Sequence, residues 1–76
     1  MTAFEKRLLI IYTLMGRDEP MTRSDIEQLI NLGFGATINI LNELINSGFV
    51  TRVKRDVAKK YMGYVATDKA REWFKL

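Results

Sequence analysis

Apolar residues return along the first fifteen positions at helical spacing, with Phe4, Leu8, Ile11 and Met15 on one face. Thr2 stands three residues before Glu5, the spacing of a capping box, and Gly16 is a helix-stop residue. Leu9, Ile10, Tyr12 and Leu14 widen the apolar surface beyond one stripe. Such a helix is either packed on several sides of a core or partly turned toward a second copy. Residues 16–20 read as a turn, and Thr22 with Asp25 repeats the capping spacing. A second helix then runs to about Asn31 with Ile26, Leu29 and Ile30 inward, until Leu32-Gly33-Phe34-Gly35 breaks it.

A third helix is expected over about 36–47, closed by Gly48. Steps of 100° gather Ile38, Ile40, Leu41, Leu44 and Ile45 on one arc, with Ala36, Asn39, Asn42, Glu43 and Asn46 opposite. Residues 49–53 have the β-branched content of a strand, 54–60 form a polar turn, and 61–66 return as a second strand. Thr67 is a good cap for a short last helix in which Ala70, Trp73 and Phe74 share a face. The order is helix, helix, helix, strand, strand, helix, an α+β arrangement with no internal repeat or linker.

Composition narrows what this arrangement can do. The 76 residues are 47% hydrophobic with a single proline, which fits one domain over 1–76. A chain of this size hides only about 60% of its unfolded surface, so no deep substrate cleft is expected beside the core. Cysteine and histidine are both absent, which removes disulfides, the usual zinc sites, the thiol nucleophile and the commonest general base. The only adjacent carboxylates, Asp18 and Glu19, sit in a Gly/Pro-flanked turn. No enzyme, metal site, cofactor or small-molecule substrate is expected. No apolar run reaches the roughly 20 residues of a membrane span, and Leu8 to Met15 lacks a signal peptide's cleavage site. An intracellular protein is expected.

Net charge is +3, and its distribution matters more than its size. Within 51–61, Arg52, Lys54, Arg55, Lys59 and Lys60 face only Asp56, whereas 21–50 is net acidic. A basic hairpin of this kind either binds phosphates or keeps the chain soluble.

Three residue groups carry a family resemblance. Thr22-Arg23-Ser24-Asp25-Ile26, followed by Leu29 and Ile30, looks like the first helix of a helix-turn-helix. Leu41-Asn42-Glu43-Leu44-Ile45-Asn46-Ser47-Gly48-Phe49-Val50 resembles the end of a winged-helix recognition helix. Tyr64-Val65-Ala66-Thr67-Asp68-Lys69-Ala70-Arg71-Glu72-Trp73-Phe74 is similar to the close of the same domain, with Ala70 where members usually have glycine. Over about residues 5–75 the chain therefore resembles winged helix-turn-helix DNA-binding proteins. It is most like short archaeal and archaeal-virus members, and more distantly like MarR- and PadR-type regulators.

The resemblance implies a three-helix core with a two-stranded wing, bound to double-stranded DNA. By position, Ala36, Thr37, Asn39, Asn42, Glu43 and Asn46 would face the major groove. Arg52, Lys54, Arg55, Lys59 and Lys60 would contact phosphates or the minor groove, with Arg23 and either Lys6 or Arg7 adding charge. The third helix has no Arg or Lys on its exposed face. Its asparagines can pair with adenine and its glutamate with cytosine, or they form a plain soluble surface. A transcriptional regulator is expected, acting as a homodimer through Leu9, Tyr12, Trp73 and Leu76. The alternatives are a protein–protein adaptor and a non-specific chromatin-type binder. Archaeal members of that last kind add a long coiled-coil helix, which is not expected in a sequence that stops at Leu76.

Overall fold

The computed structural model describes residues 1–54 and 62–75. It contains α1 (Ala3–Met15), α2 (Arg23–Ile30), α3 (Phe34–Asn46), β1 (Val50–Lys54), β2 (Met62–Ala66) and α4 (Asp68–Trp73). The element order is the expected one. The expected 54–60 turn and the start of the second strand at Tyr61 lie largely outside the described residues. Strand β1 begins one residue later than the sequence pattern suggests.

The helix starts follow from local chemistry. Thr2 Oγ1 accepts from the Glu5 amide at 3.1 Å while the Glu5 carboxylate accepts from the Thr2 amide at 2.9 Å. Thr22 and Asp25 repeat this reciprocal pair, with both bonds at 3.1 Å. Thr67 caps α4 through the Ala70 amide. Each arrangement satisfies amides that a helix start leaves without partners. Because Thr2 donates to it, the Glu5 carboxyl is held below its ordinary range.

The ends of α2 and α3 use left-handed residues. Asn31 closes α2 at φ 56°, a conformation its short polar side chain tolerates. Gly48, at φ 84°, ends α3 in a double-bonded turn: its amide donates to Ile45, and the Phe49 amide donates to Leu44. Lys69 Nζ donates to the Ser47 carbonyl at 2.6 Å, covering another acceptor that the helix end leaves open.

One core joins all of these elements. Ile10, Ile11 and Leu14 of α1 pack with Ile26 and Ile30 of α2, with Ile40, Leu41 and Leu44 of α3, and with Val50, Tyr64, Ala66 and Ala70. Phe4, expected on one face with Leu8, Ile11 and Met15, lies at the helix start and is 68% exposed. Trp73 is likewise 69% exposed, standing edge-on to Phe49 at 5.9 Å. The inward aromatic of that segment is Phe74, half-buried against Phe49 and Tyr12.

The two strands pair antiparallel, with Arg52 opposite Tyr64 and Val53 opposite Gly63. The expected 16–20 turn holds a further pairing just beyond it. Met21 exchanges two backbone bonds with Tyr64, at 3.2 and 2.8 Å, and so adds a one-residue third strand. Pro20 lies over Gly63 so closely that a Cβ there would come within 2.4 Å of the proline Cβ. Glycine at 63 is therefore a requirement of this crossing. The residues just before α2 are thereby tied to the hairpin.

Candidate nucleic-acid interface

Helix α3 lies between two environments. Its inward stripe is Thr37, Ile40, Leu41 and Leu44, all buried, at i, i+3, i+4 and i+7. Its outer face carries Ala36, Asn39, Asn42 and Asn46, all exposed. Thr37 is a correction. Expected at the groove, it is fully buried, and its hydroxyl has no hydrogen-bond partner. The helical step decides this, since residue 37 falls between Leu41 and Leu44 on the wheel whatever its polarity. The spacing of 37, 40, 41 and 44 was a signal available in the sequence.

Glu43 is exposed but engaged. Arg7 donates to its Oε2 through Nε at 2.8 Å and through Nη2 at 2.5 Å, and also reaches the Ala3 carbonyl. The charge assigned to cytosine recognition is thus turned toward α1. Arg7 is correspondingly occupied. Solvent-exposed pairs of this kind contribute about 0.2–1 kcal/mol, so the contact steers Glu43 more than it stabilises the fold.

At the other end of α3 the helix begins two residues earlier than the sequence pattern suggests, because Gly33 serves as the cap. Phe34 becomes the first helical residue and is 61% exposed. The Arg23 guanidinium lies over its ring at 4.5 Å and pairs with Glu27 one turn along α2. Sequence reasoning missed that Phe34 is helical, since Gly-Phe-Gly reads as a loop.

In the hairpin, Arg52 and Lys54 share one face of β1 and are both exposed, whereas Val50, at the start of the same face, is buried. Arg55, Lys59 and Lys60 lie outside the described residues. The two basic positions that are described stand on a strand paired with Tyr64, the residue bridged to Met21 beside α2. The segment that leads into α2 is thus joined to the basic hairpin through a backbone bridge.

A family model for the winged helix DNA-binding domain matches residues 5–70. The chain belongs to this family. No curated protein matches it. In winged-helix terms, α2 and α3 form the helix-turn-helix, and β1 with β2 forms the wing. The protein is a DNA-binding protein.

Of the residues expected to pair two copies, Tyr12 and Trp73 are exposed and Leu9 is half-buried. Leu76 lies outside the described residues. Beside Tyr12 a cleft of about 180 Å³ opens between α1 and α3, with Phe4, Leu8, Ile11 and Phe74 in its lining. Among the described residues, no helix is long and apolar enough to cross a membrane.

Proposed function

We propose that this winged-helix domain is a transcriptional regulator that binds duplex DNA with sequence preference, as a homodimer, inside the cell. The observation that carries the reading is the division of labour between α3 and the wing. The exposed Asn39, Asn42 and Asn46 side chains can read adenine edges in the major groove. Arg52 and Lys54, with Arg55, Lys59 and Lys60 of the same hairpin, supply the phosphate contacts that α3 lacks. Catalysis plays no part in this reading.

A dimer is supported by size and by exposed apolar surface. One domain of this kind buries about 600–1,000 Å² on DNA, which is little for regulation, and two half-sites double it. Phe4, Tyr12 and Trp73 are large apolar residues left exposed on α1 and α4. Light scattering at tens of micromolar tests this directly, and a monomer removes the dimer from the proposal.

The deciding experiment for the DNA reading is selection of bound duplexes from a random pool. An enriched palindrome supports a sequence-reading dimer. Binding with a steep salt dependence but no enriched sequence would make the protein a non-specific coat. A second reading, a protein–protein adaptor, is favoured by the lack of any Lys or Arg in α3. Affinity for mixed duplex DNA that does not change with salt would favour the adaptor.

A further inference from the structure

We propose that Phe34 is a specificity residue whose ring packs against the C5-methyl group of a thymine in the major groove. This rests on α3 being the groove-entering helix. The first residues of such a helix are the ones that meet base edges, and Phe34 is the first helical residue of α3. A large apolar side chain left 61% exposed there gains nothing from the core. Thymine is the base that presents an apolar group in the major groove, and phenylalanine is among the side chains suited to it.

Three details fit the ring for this use. Arg23 stacks on it at 4.5 Å and is itself held by Glu27, so its position is set before DNA arrives. Gly33 and Gly35 flank it, and neither carries a side chain that could stand between the ring and a base. The polar positions Asn39 and Asn42 on the outer face of the same helix suit adenine, so the helix as a whole favours A·T pairs. Arg23 is a positioning residue in this scheme, with its remaining N–H groups directed to the phosphate beside that thymine.

Uracil provides the test, since it differs from thymine only by the methyl group. The duplex enriched from a random pool is compared with versions in which one thymine at a time is replaced by deoxyuridine. The wild-type protein is expected to lose affinity about fourfold at one position per half-site, the worth of one buried methyl. Phe34→Ala is expected to bind the thymine and uracil duplexes equally while keeping the wild-type dependence on salt. Arg23→Met is expected to weaken the thymine preference only in part and to lower the salt slope.

A wild-type protein indifferent to every uracil replacement overturns the inference, and so does a Phe34→Ala variant that still prefers thymine. The uracil series needs no variant, so a poorly folded mutant cannot obscure the answer. Asn39→Ala/Asn42→Ala separates the two levels of the proposal. If that variant binds the enriched duplex as tightly as wild type, or if no duplex is enriched, groove reading by α3 itself fails and takes Phe34 with it. If it loses affinity while uracil is tolerated everywhere, Phe34 alone is wrong.

Discussion

Over Phe34–Asn46 the protein carries a single charged residue, Glu43, and Arg7 holds it. Over Val50–Lys54 it carries two, Arg52 and Lys54, both cationic and both exposed. The first region offers amide side chains and an aromatic ring, groups that discriminate between bases but attract no phosphate. The second offers charge, which attracts any duplex and discriminates little. Under the proposed function, affinity and selectivity fall to different segments of the chain. Damage to one should leave a recognisable remainder of the other.

The largest expected effect comes from breaking the crossing that ties the segment before α2 to the hairpin. Gly63→Ala forces a Cβ into Pro20 at 2.4 Å, where neither the ring nor the strand backbone has room to yield. Overpacking of this kind costs about 1–3 kcal/mol, and rigid partners on both sides put this case near the top of that range. Thermal unfolding should show it, and DNA binding should weaken beyond what the loss of folded protein explains. A variant as stable as wild type would mean that the Pro20 crossing does not hold the wing.

Next in size is the reading surface. Asn42→Ala should cost about 1–3 kcal/mol on the preferred duplex and almost nothing on mixed DNA, so the ratio of the two is the quantity to measure. A uniform loss on both would assign Asn42 to backbone contact instead. Removing charge from the wing should do the reverse. Arg52→Ala and Lys54→Ala should each weaken all duplexes alike and reduce the slope of log affinity against log salt by about 0.9 for each phosphate left unneutralised.

Smaller still is the effect of Thr37→Val. The unpartnered hydroxyl is replaced by a methyl in a fully buried position, so stability should rise by about 1 kcal/mol with DNA binding unchanged. A loss of sequence preference in this variant would return Thr37 to the interface. The smallest expected effect lies at the start of α1. The Glu5 carboxyl is held below its ordinary range in the folded state, so what it contributes is fully present above that range and is lost as pH falls through it. Protection of the first-turn amides, measured against their intrinsic exchange rates, should therefore fall below about pH 4 in wild type, and Glu5→Gln should remove that change in protection.

Much of the fold was legible because its signals are local. Thr2 with Glu5, Thr22 with Asp25, and Thr67 announce helix starts within three residues, and Gly48 announces an end. Met21 and Ile26 also stand at the spacing of a hydrophobic staple around the Thr22 cap, a local signal for the burial of Met21. The Met21–Tyr64 bridge and the Arg7–Glu43 pair join residues far apart in the chain, and no local pattern encodes them.

Helix α3 was misread where polarity was allowed to outweigh position. Thr37 looked like a surface residue, yet the helical step buries it; Phe34 looked like loop, yet it opens the helix. That Asn39, Asn42 and Asn46 would be exposed was legible because polarity and position agree there.

The bridge between Met21 and Tyr64 also bears on the shape of the DNA. In the proposed complex, a helix-turn-helix and wing tied together at this bridge would act as a template of fixed width. A duplex whose natural groove geometry does not match that width must be bent or twisted to touch both parts, at a cost that varies with the stiffness of its base steps. Base pairs that no side chain reaches would then still be selected, through the ease with which they deform.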